Sequence, residues 1–251
     1  MNQDKLAQNV LVLGATSSIA QAVTRIYAAR AANLYLVARN PQGLALVAAD
    51  ARVRGAVETH TKALDLSDIS VHPELLSDVA RVMPELDIAL IAYGVLGNQM
   101  EGERTYTAAE AVLRINFLSA VSLLTCLANN FERQRKGTIA VISSVAGDRG
   151  RKSNYIYGTS KAALTVFLEG LRARLVPCGA HVLTIKPGFV ATPMTAHLKQ
   201  GVLFASPDKI GRGIVSAIDQ KKDIVYLPWF WWAIMLAIRM LPERIFKKTN
   251  L

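Results

Sequence analysis

Short apolar runs alternate with longer segments of helical period along the whole 251-residue chain. The runs at 9–13, 33–38, 56–61, 86–92, 137–143, 180–186 and 223–227 read as strands, most of them nearly continuous in Val, Ile, Leu and Ala. A strand with one solvated face alternates apolar and polar residues. These do not, which predicts a parallel sheet covered on both faces. Segments near 18–31, 41–54, 71–81, 105–130, 154–176 and 207–220 carry the helical spacing and complete a βαβ series. Right-handed crossovers then give an α/β fold, a Rossmann-like doubly wound sheet of about seven strands, with ligands bound beyond the carboxyl ends of the strands.

No Pro/Gly/Ser-rich linker and no repeat interrupts the series, so residues 1–227 read as one domain and 228–251 as its apolar, basic tail. If the last strand takes up Ile224 to Leu227, the free apolar segment runs from Trp229 to Leu241, roughly 20 Å of helix against a hydrocarbon core of ~30 Å. It is too short to span. Its tryptophans suit the headgroup level, and Arg239, Arg244, Lys247 and Lys248 suit anionic lipid, so a helix lying in the membrane surface is expected; a helix that closes the pocket or packs between subunits is the other reading.

With 51% hydrophobic residues, 16 glycines and 9 prolines, the chain has the composition of a globular core and not of a disordered or collagen-like one. Residues 1–125 hold 10 basic and 12 acidic side chains and the remainder 19 and 7, so the net +10 is −2 followed by +12. An anionic partner is expected for the second half. Cys126 and Cys178 read as free thiols of a reducing compartment, and no metal-ligand cluster accompanies them. The polar stretch before Val10 lacks the pattern of a secretory signal, which predicts a cytoplasmic protein.

The first strand leads through Gly14-Ala15-Thr16-Ser17-Ser18-Ile19 into a helix. A glycine turn followed by a helix N-terminus offers free N–H groups to a pyrophosphate, and an ordinary capped strand-to-helix turn would look the same. At the end of the second strand Ala38 stands where an NAD site places a carboxylate, and Arg39 follows, which favours the 2′-phosphate of NADP(H). Asp65-Leu66 after the third strand offers an acceptor to an adenine, or a helix cap. The strongest signal is Tyr157 and Lys161, four apart on one helical face, with Ser144 at a strand end thirteen residues earlier. An adjacent ammonium favours the phenolate and makes a phenol useful as an acid near neutral pH.

Together these residues resemble the short-chain dehydrogenase/reductase family across nearly the whole chain. The resemblance implies that Ser144, Tyr157 and Lys161, with Asn116 of Leu113-Arg114-Ile115-Asn116-Phe117, form the catalytic tetrad, and that Pro187-Gly188-Phe189-Val190-Ala191-Thr192 holds the nicotinamide end of the cofactor. Gly94 matches the last glycine of the stretch after the fourth strand. Two departures stand out: Ser18 and Ala20 replace glycines of the first turn, and Ile91-Ala92-Tyr93-Gly94 replaces Asn-Asn-Ala-Gly. The segments 147–158 and 193–199 and the ending 241–248 resemble decaprenylphosphoryl-2-keto-β-D-erythro-pentose reductases, which reduce a keto intermediate of cell-envelope synthesis.

The expected protein is therefore an NADPH-dependent ketoreductase acting on a lipid-linked sugar at the inner face of the membrane, with a partner oxidase supplying the ketone and a homo-oligomer as its assembly. Arg149, Arg151 and Lys152, in the loop before Tyr157, are the expected phosphate ligands. A reductase of another apolar ketone, steroid or acyl, and a non-catalytic dinucleotide sensor are the competing functions. No nucleic-acid partner is expected, since no reading module accompanies the positive charge.

Overall fold

The computed structural model describes residues 7–196 and 198–249. The polar start of the chain and His197 of the 193–199 segment lie outside the described residues. Seven parallel strands form one sheet, β1 (Asn9–Leu13), β2 (Asn33–Ala38), β3 (Glu58–Ala63), β4 (Ile88–Ile91), β5 (Thr138–Ile142), β6 (His181–Pro187) and β7 (Ile224–Leu227), in the order β3-β2-β1-β4-β5-β6-β7. The order reverses between β1 and β4, and a crevice opens there beyond the strand ends.

Alternate residues of each strand serve opposite layers. Val10 and Val12 of β1 enter the core beneath α1 (Ser18–Ala29), α2 (Pro41–Val53) and α8 (Pro207–Asp219), while Leu11 and Leu13 enter the core beneath α3 (His72–Val82), α6 (Ser119–Gln134) and α7 (Tyr155–Leu175). Both faces are dry, which is why the strand sequences run apolar without alternation. The exception is β3, Glu-Thr-His-Thr-Lys-Ala, mostly accessible at the sheet edge and displaced by two residues from the expected 56–61. An edge strand needs few apolar residues, so its pattern was the least informative.

The expected helix at 105–130 is interrupted. The short α4 (Gln99–Arg104) precedes α5 (Tyr106–Leu113), and a π-turn over Arg114–Leu118 separates α5 from α6. By length and composition Tyr106–Gln134 could cross a membrane, but Leu123, Leu124, Leu127 and Phe131 are fully buried against the sheet. Cys126 and Cys178 are free thiols, the latter buried with its Sγ 2.9 Å from the Leu175 carbonyl.

The tail folds back as α9 (Phe230–Met240), about 16 Å long, and the single turn α10 (Glu243–Phe246). Trp231 and Met235 bury their side chains against Val145 beside the crevice, worth roughly 1.5–3 kcal/mol each. One face of the tail thus closes the pocket; on the other, Trp229, Trp232, Leu236 and Met240 stay exposed.

Candidate active site

The first turn approaches the crevice with Gly14 at φ +90°, a conformation that favours glycine, and a Cβ there would lie 2.7 Å from the Tyr93 backbone nitrogen. The Gly14 and Ala15 N–H groups both donate to the Val37 carbonyl at 2.9 Å, and Ser17 caps α1 by accepting from the Ala20 N–H at 3.2 Å. Close packing of α1 is secured from the opposite side by Gly211 of α8, where a Cβ would meet that of Ala22 at 2.7 Å. Tyr93 likewise acts as a rivet: its hydroxyl lies 2.7 Å from Ser119 Oγ, which in turn donates to the Leu66 carbonyl, tying the loops after β3 and β4 to α6.

A cavity of about 930 Å³ follows the strand ends from this turn to the tail. Gly14, Thr16, Ser17, Ser18, Ile19, Arg39, Asp65, Leu66, Gly94, Ser144, Tyr157, Lys161, Pro187, Gly188, Val190 and Thr192 all line it. Asp65 is no helix cap; it accepts from the Ser67 N–H and hydroxyl at 2.9 and 2.8 Å, an Asx turn that holds its carboxyl below the ordinary range. The 188–205 loop is pinned by pairing of Val190 with Ala205 and by Thr195 Oγ1, which donates to the Val190 carbonyl at 2.5 Å.

Ser144 and Tyr157 line the cavity together, and Lys161 stands with Nζ 5.8 Å from the Tyr157 ring centre, donating to the Ile142 carbonyl at 3.0 Å. Burial pushes the phenol up, with the nearby Ser144 hydroxyl opposing it, and pulls the Lys161 ammonium down to about 8. The expected lowering of the phenol by the lysine is therefore corrected: desolvation outweighs a charge that points elsewhere. Asn116 sits on the π-turn behind the cavity. Its amide accepts from the Val95 N–H and donates to the Val95 carbonyl, both at 2.8 Å, and reaches Ser160 Oγ at 3.1 Å. It pins the loop after β4, and its side chain is fully engaged.

The three basic residues of the loop separate. Arg149 turns away from the cavity and grips the tail, donating to the Ile238 and Leu241 carbonyls at 2.5 and 2.7 Å and to Glu243 at 3.0 Å, with its guanidinium 3.7 Å over the Phe246 ring. Lys152 is exposed and outside the lining. Arg149 is corrected as a phosphate ligand, because helix-end carbonyls and an aromatic face recruit it, and the structure does not bring Lys152 into the cavity lining. Arg151 does line the cavity. Asn154, absent from the sequence expectation, lines it too, and so does Trp231, in line with the reading of the tail as a helix that closes the pocket. Asn154 carried no signal beyond lying in the same loop.

A family model described as short chain dehydrogenase matches residues 8–202, over three quarters of the chain. The chain belongs to this family. An uncharacterised oxidoreductase of Mycobacterium tuberculosis is 34% identical over 245 residues, covering 98% of each chain. Among solved structures, NAD+-bound xylitol dehydrogenase is 21% identical with a TM-score of 0.76, covering 86% of this chain and 93% of its own. Actinorhodin polyketide ketoreductase with NADPH is 18% identical with a TM-score of 0.79, covering 90% and 97%. This short-chain oxidoreductase thus shares its fold with structures holding either nicotinamide cofactor. The glycine turn at φ +90°, the helix N-terminus beside it and the length of the cavity fit such a dinucleotide.

Proposed function

We propose that the protein is an NADPH-dependent ketoreductase whose substrate is a polyprenyl-phosphate-linked keto sugar. The observation that carries the reductase reading is that Ser144, Tyr157 and Lys161 line one cavity together with the Gly14 turn. Arg39, exposed at the end of β2 with no carboxylate at position 38, supports NADPH as the cofactor. The bound cofactor supplies hydride to the carbonyl carbon. Tyr157 gives its proton to the developing alkoxide, and Ser144 donates to the same oxygen as negative charge accumulates. Lys161, protonated below about 8, keeps a positive charge in the wall beside Tyr157. Asn116 holds the floor of the site through Val95.

The lipid-linked substrate is supported by the resemblance of the 147–158, 193–199 and 241–248 segments and by the outer face of the tail. There Trp229, Trp232, Leu236 and Met240 are exposed together with Arg244, Lys247 and Lys248, the composition of a helix at an anionic membrane surface. Replacing Tyr157 by Phe tests the reading: NADPH oxidation driven by a keto sugar should fall about 10²–10⁴-fold while NADPH still binds. Near-full turnover in Tyr157→Phe would overturn it.

A further inference from the structure

Three of the loops that line the cavity are joined behind it by one buried cluster of polar side chains. The Leu66 carbonyl, in the loop after β3, is approached from two helices: Ser119 Oγ of α6 donates to it, and His72 Nε2 of α3 lies 3.1 Å away. His72 Nδ1 faces Ser122 Oγ at 2.9 Å, and the Tyr93 hydroxyl, from the loop after β4, faces Ser119 Oγ at 2.7 Å. The third loop is the Gly14 turn, which approaches the Tyr93 backbone so closely that a Cβ on Gly14 would not fit. His72 and Ser119 are fully buried, whereas Leu66, Tyr93 and Gly14 line the cavity.

The proton positions in this cluster follow from its one fixed acceptor. A carbonyl can only accept, so Ser119 spends its single proton on Leu66 and the Tyr93 hydroxyl must donate to Ser119 Oγ. Burial holds the His72 pKa below its ordinary value, which leaves the ring neutral at pH 7. A neutral imidazole has one donor and one acceptor. With Nε2 donating to Leu66, Nδ1 accepts from Ser122. Every hydroxyl and ring nitrogen here has a partner and a single role, the condition under which a buried network makes its surroundings rigid. On the far side of Gly94, Asn116 grips Val95, so the loop after β4 is held on both flanks, by Ser119 through Tyr93 and by Asn116 through Val95.

We propose that Tyr93, Ser119 and His72 are positioning residues for the cofactor: acting through the Leu66 carbonyl, they hold the loops after β1, β3 and β4 in the spacing that a dinucleotide needs. This clamp deepens the function proposed above and rests on its dinucleotide reading of the cavity. Its consequence is for affinity and not for chemistry, since none of the three side chains bonds Ser144, Tyr157 or Lys161.

The test is the dissociation constant of NADPH, or of NADH if that is the tighter, for the full-length protein, with the urea unfolding midpoint of each variant measured beside it. Tyr93→Phe keeps the ring and removes one hydroxyl; it should weaken the cofactor about 3–10-fold, the range of one hydrogen bond. Ser119→Ala removes the bond to Leu66 and strands the Tyr93 hydroxyl, and should cost about 10–100-fold. His72→Leu should weaken binding about 3–10-fold, and His72→Gln, whose amide supplies a donor in place of Nε2, should recover part of the loss. In each variant kcat at saturation should stay within about twofold while KM for the cofactor follows the dissociation constant.

The deciding measurement is Tyr93→Phe made in the Ser119→Ala background. With its acceptor gone the phenol hydroxyl holds nothing, so the second change should cost no more than about twofold and the two losses should not multiply. A double variant whose loss is the product of the single ones overturns the clamp. So do dissociation constants that stay at the wild-type value while the unfolding midpoints fall, which would assign the cluster to stability alone. Binding needs no turnover, so the two proposals separate. A protein that shows these losses and reduces no ketone supports the clamp and sinks the reductase reading; one that binds neither cofactor sinks both.

Discussion

The two ends of the cavity are built differently. At the end lined by Gly14, Ser17, Arg39 and Asp65, each stands within a few residues of a strand terminus, and the side-chain hydrogen bonds are local: Ser17 accepts from the Ala20 N–H and Asp65 from Ser67. At the other end, the 147–154 loop is held by partners far along the chain, with Asp148 reaching Lys186 and Tyr226, and Arg149 reaching Ile238, Leu241 and Glu243. A dinucleotide is the same molecule for every protein that uses it, and a strand-to-helix turn suffices to hold it. A substrate pocket must differ between relatives, and a loop braced by remote residues can change shape without disturbing that turn.

The largest effect expected from breaking this contrast lies at the remote brace. Lys186→Met strands the Asp148 carboxylate in a buried position with only the Tyr226 hydroxyl, and should cost about 3–5 kcal/mol in urea unfolding. Replacing both members with apolar residues should recover much of it. At the Gly14 end the consequence is functional and not global. Arg39→Asp should cut kcat/KM for NADPH by about 10–100-fold and narrow the gap to NADH, with the unfolding midpoint nearly unmoved. A preference for NADPH that persists in this variant would remove Arg39 from cofactor selection.

Arg149→Ala should be smaller, about 1–2 kcal/mol of stability from its hydrogen bonds to the end of α9, and it should raise KM for the ketone more than for NADPH because Trp231 moves with the tail. An equal rise in both would place the tail at the cofactor. Smallest is the pH response shared by the two ends. Lys161 is cationic below about 8, so reduction should hold on the acid side and decline as pH rises through that value. Lys161→Arg, whose charge persists, should carry the decline to higher pH; a decline left in place belongs to another group.

Much of the fold was legible because β-strands buried on both faces leave an unmistakable run of Val, Leu, Ile and Ala, as in Val10-Leu11-Val12-Leu13. Where a strand lies at the sheet edge that signal fades, and β3 was placed two residues early. The π-turn at Arg114–Leu118 was not legible, since a residue inserted into a helix leaves its apolar spacing almost intact. Tyr157 and Lys161 were found from spacing because one helical turn dictates their proximity, and Ser144 from its place at a strand end. Asn116 came only with the resemblance, and its engagement with Val95 joins residues 21 apart through the backbone of a loop.

By itself the sequence determined the layered α/β sheet, the glycine turn after β1 and the Tyr157/Lys161 pair on one helical face, because each follows from periodicity or from spacing within one element; that Ser144 shares their cavity was decided by the packing of β5 against α7. The fate of Arg149, Arg151 and Lys152 was decided only by the tertiary structure. Three cations within four residues look alike in a sequence, and what separates them is whether helix-end carbonyls, a closed cavity or open solvent lies opposite. The same holds for the tail, whose apolar composition is compatible with lipid or with protein: Trp231 went to the protein and Trp232 to the outside, neighbours divided by the 100° turn of a helix.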